Sequence, residues 1–207
     1  MQLKQFKIRA SQAGKLMTNP RSKGEVLSKT TKSYLQEWVK EQIYGVRKNI
    51  SSKYLDKGNQ VEDDAITYAA AEQGWLFAEK NDQYFEDDFF CGTPDVILDE
   101  KIIDIKSSWD CFSFPLFYKV IPNKDYYWQL QTYMHLTGKR YAQLAYVLMN
   151  TPEELTFEPA HNYNEIESQY RIKTFDIQYD AEEIKKLQEK VQLSRDYINE
   201  LLRNTRL

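Results

Sequence analysis

Residues 91–108 read CGTPDVILDEKIIDIKSS. Two short apolar runs, Val96-Ile97-Leu98 and Ile102-Ile103, flank the polar triplet Asp99-Glu100-Lys101. Both runs are rich in β-branched residues and short enough to be strands, and the break between them is turn-sized. The simplest folding is a hairpin with Asp99 and Glu100 as its two-residue loop, although Asp-Glu is not the favoured Asn-Gly or Asp-Gly pair. In that register Leu98 faces Lys101, and Asp95 lies opposite Asp104 with β-carbons roughly 4.5–5.5 Å apart on one face. Lys106 follows Asp104 by two residues and shares that face.

Two carboxylates and an ammonium thus converge on one spot. Like charges placed opposite each other destabilise a sheet, and the surrounding Val, Ile and Leu imply strands covered on both faces, where unpaired charge costs more. Lys106 offsets part of that cost, and a divalent cation held by both carboxylates would offset the rest. The competing reading is an Asp–Lys–Asp ion-pair cluster at the end of a sheet.

The stretch Pro94-Asp95, then Asp104-Ile105-Lys106, resembles the signature of the PD-(D/E)XK nuclease superfamily. Gly92 before Pro94-Asp95 and Ser107-Ser108 after the lysine resemble its lambda-exonuclease and YqaJ-type, RecB-like branch. Two further elements fall in the family's order. Gly58, Glu62, Ala65 and Tyr68 resemble the helix that sends a glutamate into the metal site, and Gln129 to Tyr133 resembles the QxxxY element beside the active site, which steadies the lysine or contacts the DNA backbone. Arg9-Ala10-Ser11 resembles the family segment in which an arginine and a serine hold a terminal 5′-phosphate. The alternative is that Ser11 merely caps a helix, where hydroxyls are favoured, and Arg9 is solvated.

The resemblance implies an α/β fold, a restriction-endonuclease-like mixed β-sheet core flanked by α-helices. It implies Mg²⁺, with Mn²⁺ able to substitute, held by Asp95, Asp104 and the Ile105 backbone carbonyl, with Glu62 completing the first site or helping to hold a second ion. Asp104 stands where glutamate is commoner, and its shorter side chain brings the metal closer to the strand. Lys106, Gln129 and Tyr133 complete the expected catalytic set. The implied activity is exonucleolytic hydrolysis of linear double-stranded DNA, from 5′ ends, in phage-type recombination or DNA processing. A homotrimer and a single-strand annealing partner are carried over from the family in the same way. The alternatives are an endonuclease, a CRISPR-adaptation-like nuclease (whose usual iron–sulfur cysteines are absent here) and a catalytically inactive nuclease fold serving as a DNA- or protein-binding module.

Composition fits this reading. The chain has 207 residues, 42% hydrophobic and 29% charged, as in an ordinary globular protein of one domain. The expected layout is a basic helical part over 1–57, a catalytic core over 58–150, and a C-terminal strand and helix over 151–207. No apolar run is long enough to span a membrane and the first ten residues lack a signal peptide's apolar core, so a cytoplasmic location is expected, the host cytoplasm if phage-encoded. Cys91 and Cys111 are too few for a four-cysteine metal site and read as two buried, reduced thiols. The net charge of −3 conceals an asymmetry: residues 1–53 hold twelve Lys and Arg against three Glu, whereas residues 54–104 hold three Lys against fourteen Asp and Glu. A basic flank beside an acidic centre suits a phosphate-tracking surface next to a cation site; chance asymmetry of solvated faces is the alternative.

Periodicity and punctuation predict the remaining elements. Helices are expected over Gln12–Met17 with Ser11 as N-cap, Glu25–Tyr44 ending at Gly45, Gln60–Glu72 between Gly58 and Gly74, a segment opened by Pro122-Asn123 and ending before Gly138, and a last helix capped by Asp180. Strands are expected over Trp75–Glu79, Tyr141–Met149 and Arg171–Tyr179, with Asn81–Asp88 as a turn and Asn150–Pro159 as a loop. Lys119 and Lys124, around an aromatic segment broken by Pro115, would meet phosphate. His135 and His161 match no metal motif.

Overall fold

The computed structural model describes residues 3–49, 52–156 and 161–204. Its N-terminal elements are β1 (Ile8–Arg9), a 3-10 turn at Ala10–Gln12, and the helices α1 (Ala13–Leu16), α2 (Lys29–Tyr44) and α3 (Lys53–Gln73). Four strands follow, β2 (Phe85–Glu86), β3 (Phe90–Gly92), β4 (Val96–Ile97) and β5 (Lys101–Ser107). The chain continues through α4 (Lys124–Thr137), β6 (Tyr141–Val147), β7 (Ile172–Gln178) and α5 (Ala181–Asn204).

The hairpin forms in the expected register: Val96 pairs with Ile103, Ile97 with Ile102, and the Leu98 N–H donates to the Lys101 carbonyl at 2.8 Å. It forms one edge of a mixed four-stranded sheet ordered β4-β5-β6-β7, in which β5 and β6 are parallel and the outer pairs antiparallel. Strand alternation divides this sheet between two helices. Val96, Ile103, Ile105, Ala145 and Val147 pack beneath Ala65, Ile66 and Ala69 of α3. Ile102, Ala142, Leu144, Phe175 and Ile177 pack against Leu130, Tyr133 and Met134 of α4. With both faces covered, β5 is buried from Ile102 to Ile105. The fold is therefore α/β, as expected.

A second, three-stranded sheet, β1-β3-β2, lies under the N-terminal helices, and its Ile8 and Phe90 join Leu16, Leu35, Val39, Leu187 and Val191 in a separate core. Gly92 at the end of β3 is where this sheet meets α4: a β-carbon there would lie 2.8 Å from Tyr133 Cε1 and 3.2 Å from Ala10 Cβ. Gly92→Ala is therefore expected to cost about 1–3 kcal/mol by overpacking. A thermal melt should register it as a midpoint lower by about 2–12 °C.

Several expected boundaries move, each for a local reason. Helix α2 starts at Lys29 rather than Glu25 because the Ser28 hydroxyl accepts the Thr31 N–H. Helix α3 starts at Lys53 because Ser52 caps it in the same way, which places Gly58 inside the helix instead of ahead of it. Ser11 does not cap a helix: it lies within the 3-10 turn, and the four-residue α1 begins after Gln12. No strand forms over Trp75–Glu79. Gly74 ends α3 in the left-handed region, Phe77 follows at φ 57°, and only Lys80 bridges to Val96. The expected turn over Asn81–Asp88 contains β2. Cys91 is buried, but Cys111 is exposed, which corrects the reading of two buried thiols. The expected 150–159 loop holds a 3-10 turn at Glu153–Leu155, and its positions 157–159 lie outside the described residues. The other caps fall as expected, with Gly45 and Gly138 left-handed and the Asn123 and Asp180 side chains accepting helix N–H groups. Among the described residues no helix is long and apolar enough to cross a membrane.

Candidate active site

The hairpin brings Asp95, Asp104 and Lys106 together on the α4 side of the sheet. The Asp95 carboxylate reaches across the ladder, where its Oδ2 accepts the Ile105 N–H at 2.8 Å. Asp104 is fully buried, and its two oxygens have different surroundings. Oδ1 accepts a hydrogen bond from Gln129 Nε2 at 2.9 Å. Oδ2 lies 2.6 Å from Lys106 Nζ, a contact of charge with charge, but takes no well-directed hydrogen bond. Lys106 is also held by aromatic surface, with Nζ 5.0 Å from the centre of the Tyr126 ring on α4.

These charges set one another's protonation. Burial raises the Asp95 carboxyl to about 7, reinforced by the Asp104 charge and opposed by Lys106 and the Ile105 N–H. Burial likewise raises Asp104. Burial alone would lower Lys106, but the Asp104 and Asp95 carboxylates outweigh it and hold the lysine above its ordinary value. Lys106 is therefore a cation at neutral pH.

Helix α4 supplies Gln129 and Tyr133 one turn apart. The Gln129 amide donates both to Asp104 Oδ1 and, at 3.3 Å, to the Tyr133 hydroxyl. Here the glutamine orients Asp104, not the lysine. Glu62 comes from α3, and its Oε2 is ion-paired with Lys80 Nζ at 2.7 Å; Lys80 also touches Asp63 Oδ1 at 2.9 Å. Hydrogen bonds donated to these two carboxylates raise the Lys80 pKa above its ordinary value. Among the described residues no three His, Cys, Asp or Glu side chains converge as a metal-binding group.

Arg9 and Ser11 are both exposed. They flank Ala10, which packs in the same cluster as Tyr133, so this segment adjoins the end of α4 that carries the Gln129–Tyr133 pair. His135 bridges Tyr179 and Asp87 and stands apart from the acidic group. Sequence reading passed over Lys80, Tyr126 and the buried Lys57, because each acquires its partner from a segment distant in the chain. The only signal for Lys57 was its place directly before Gly58, in a helix already suspected of carrying a catalytic glutamate.

Scans of the sequence against protein-family models and against curated proteins find no match. Solved structures do match. A phage-related exonuclease from Haemophilus somnus 129PT shares 30% identity, with 97% of each chain covered and a TM-score of 0.85. The alkaline exonuclease LHK-Exo from Laribacter hongkongensis has the same fold at 16% identity, covering 97% of this chain and 91% of its own, with a TM-score of 0.74. The fold, the two opposed aspartates with their lysine, and similarity along nearly the whole chain agree: the protein is a nuclease and belongs to the PD-(D/E)XK exonuclease superfamily.

Proposed function

We propose that this chain is a Mg²⁺-dependent exonuclease that hydrolyses linear double-stranded DNA from 5′ ends, in phage-type recombination or DNA processing. The observation that carries the reading is the opposed pair of carboxylates, Asp95 and the fully buried Asp104, whose ionisation the fold opposes and which share the single Lys106 ammonium. Two carboxylates buried beside one ammonium leave an excess of negative charge that is costly to bury, and a divalent cation would offset it.

The residues fit the ion. Asp95, Asp104 and the Ile105 carbonyl are all hard oxygen donors, the set that Mg²⁺ takes together with water and that Mn²⁺ also accepts. Glu62 would help to hold the ion once freed from its pair with Lys80. When bound, such an ion lowers the pKa of a water and neutralises charge on the attacked phosphate. The chain's own groups do the remainder. Gln129 fixes the Asp104 carboxylate in one orientation, Tyr133 holds the Gln129 amide, and the Lys106 ammonium stabilises negative charge developing on the phosphate. The Asp104 and Asp95 carboxylates hold Lys106 above its ordinary pKa, which favours an electrostatic role over that of a general base. Arg9 and Ser11 would take the terminal 5′-phosphate, a guanidinium and a hydroxyl being suited to that anion.

The basic N-terminal part offers a path for the DNA backbone. A cleft of about 890 Å³ is lined by Lys15, Arg21, Lys29 and Lys32 with Ser22 and Thr30, against Glu25, which pairs with Lys32, and Glu37. Binding through such a surface should weaken steeply with salt.

The test compares matched linear and closed-circular duplex DNA with Mg²⁺, the linear form with and without a 5′-phosphate. Digestion of only the 5′-phosphorylated linear DNA is expected. Cutting of the circle would indicate an endonuclease, and no metal-dependent cleavage would end the enzymatic reading. A second expectation concerns Lys80. Lys80→Met removes the ammonium that competes for Glu62, so the protein should bind Mn²⁺ about two- to fivefold more tightly by calorimetry, the scale of one exposed ion pair.

A further inference from the structure

Lys57 takes no part in the chemistry above, yet it is fully buried. Its Nζ donates to three backbone carbonyls: Ser108 at 2.6 Å, Trp109 at 2.8 Å and Met149 at 2.8 Å. An ammonium has three protons and here has three acceptors, whereas a neutral amine could serve only two of them. The Trp109 carbonyl also accepts the Thr151 hydroxyl, and the Trp109 ring lies 5.9 Å from Nζ. Burial lowers the Lys57 pKa to about 8 against the pull of Asp110, which still leaves it charged at neutral pH.

The three carbonyls lie at one place in the fold. Ser108 and Trp109 directly follow the end of β5, and Met149 lies two residues past the end of β6. One side chain from the first turns of α3 therefore ties the helix to the ends of both parallel strands. Burying an ammonium is expensive, and an apolar residue of similar volume often fills such a space at no net loss. An apolar residue would not hold three carbonyl oxygens around one point. The face that α3 lays on the sheet further along, Ala65, Ile66 and Ala69, is smooth and apolar, and fixes separation better than axial position.

We propose that Lys57 is a positioning residue that pins α3 along its axis against β5 and so sets how near Glu62 can come to Asp95 and Asp104. Burial is what most raises those two carboxyls, and the Glu62 charge already adds to the rise in each. The proposal rests on the metal-site reading given above. Five residues of helix separate Lys57 from Glu62, a rise of about 7.5 Å through a rigid element. A slip at Lys57 would therefore carry the Glu62 backbone along the same axis.

The experiment is a double-substitution cycle read by Mn²⁺ calorimetry on the folded protein, with no catalytic assay. Lys57→Met is expected to weaken Mn²⁺ binding about tenfold in the parent. In a Glu62→Gln background the same substitution should change binding by less than about twofold, because the group it positions is already gone. Lys57→Gln keeps volume and two N–H donors. It is the variant to use if Lys57→Met does not fold, with a smaller loss expected and the same dependence on Glu62. A lower melting temperature with unchanged Mn²⁺ affinity would overturn the proposal and leave Lys57 purely structural. Equal loss of affinity in both backgrounds would overturn it as well. If the parent protein binds no Mn²⁺, the metal-site reading falls first and this proposal with it.

Discussion

Asp95→Asn should abolish Mg²⁺-dependent hydrolysis, by about 10³-fold or more, and at the same time make the metal-free protein more stable. The loss follows from removing one anionic oxygen donor from a preorganised charge site. The gain follows from the same geometry. An asparagine side chain keeps an oxygen to accept the Ile105 N–H, leaves the Lys106–Asp104 pair intact, and removes the charge that opposes Asp104. The folded Asp95 carboxyl is raised to about 7 from an ordinary 3.8, so the fold favours its protonated form. Its contribution to stability is complete below the unfolded value and is lost as pH rises towards 7. The advantage of asparagine is therefore largest at pH 7 and above, about 1–3 kcal/mol after allowance for solvent screening of a half-buried group. Denaturant titrations at pH 5 and pH 8 in chelator check it. A destabilised Asp95→Asn at pH 8 would show that no like-charge conflict exists.

Lys106→Met should lower kcat by about 10²–10⁴-fold, the range for loss of an electrostatic or proton-handling group. Its effect on stability has the opposite sign to that of Asp95→Asn. Asp104 is fully buried, and Lys106 is the cation beside it. Removing one partner of a buried pair costs about 3–5 kcal/mol when the other stays charged. Asp104 escapes part of that penalty by protonating, so the deficit should shrink as pH falls from 8 to 5. Mg²⁺ should then stabilise this inactive variant more than it stabilises the parent, since two carboxylates are left without their ammonium. Melting curves with and without Mg²⁺ read this directly. An equal shift for both proteins would place the ion elsewhere.

The placement of Asp95, Asp104 and Lys106 was legible in the sequence because all three sit on a two-residue-loop hairpin. Once Asp99-Glu100 is the loop, Asp95 must oppose Asp104, and the ladder forms in that register, with Val96 on Ile103 and Ile97 on Ile102. Helix ends marked by glycine were equally plain, since Gly45, Gly74 and Gly138 all take the left-handed conformation that other residues avoid. Starts marked by serine were not. Ser28 and Ser52 are caps, but serines abound in the loops, and Gly58 looked like a break when tertiary packing carries α3 straight through it. Strands β1 and β2 have two residues each, too few for any alternation to register. Trp75–Glu79 misled in the other direction, being apolar enough for a strand but turned by a left-handed Phe77. Glu62 was placed on the right helix, yet its present partner, Lys80, reaches it from a loop that no local pattern points to.

The parallel pairing of β5 with β6 bears on how such a protein can diversify. Ser107 stands beside Val147, so the segments that follow the two strands leave the sheet at the same rim, next to Lys106. Phe112 and Phe117, both about 90% exposed, belong to the first of these segments. Asp104 and Lys106 are fixed by ladder hydrogen bonds and by α4 below that rim. Insertions or exchanges beyond the Ser108–Trp109 and Met149 anchors would alter what approaches the lysine without shifting the carboxylates.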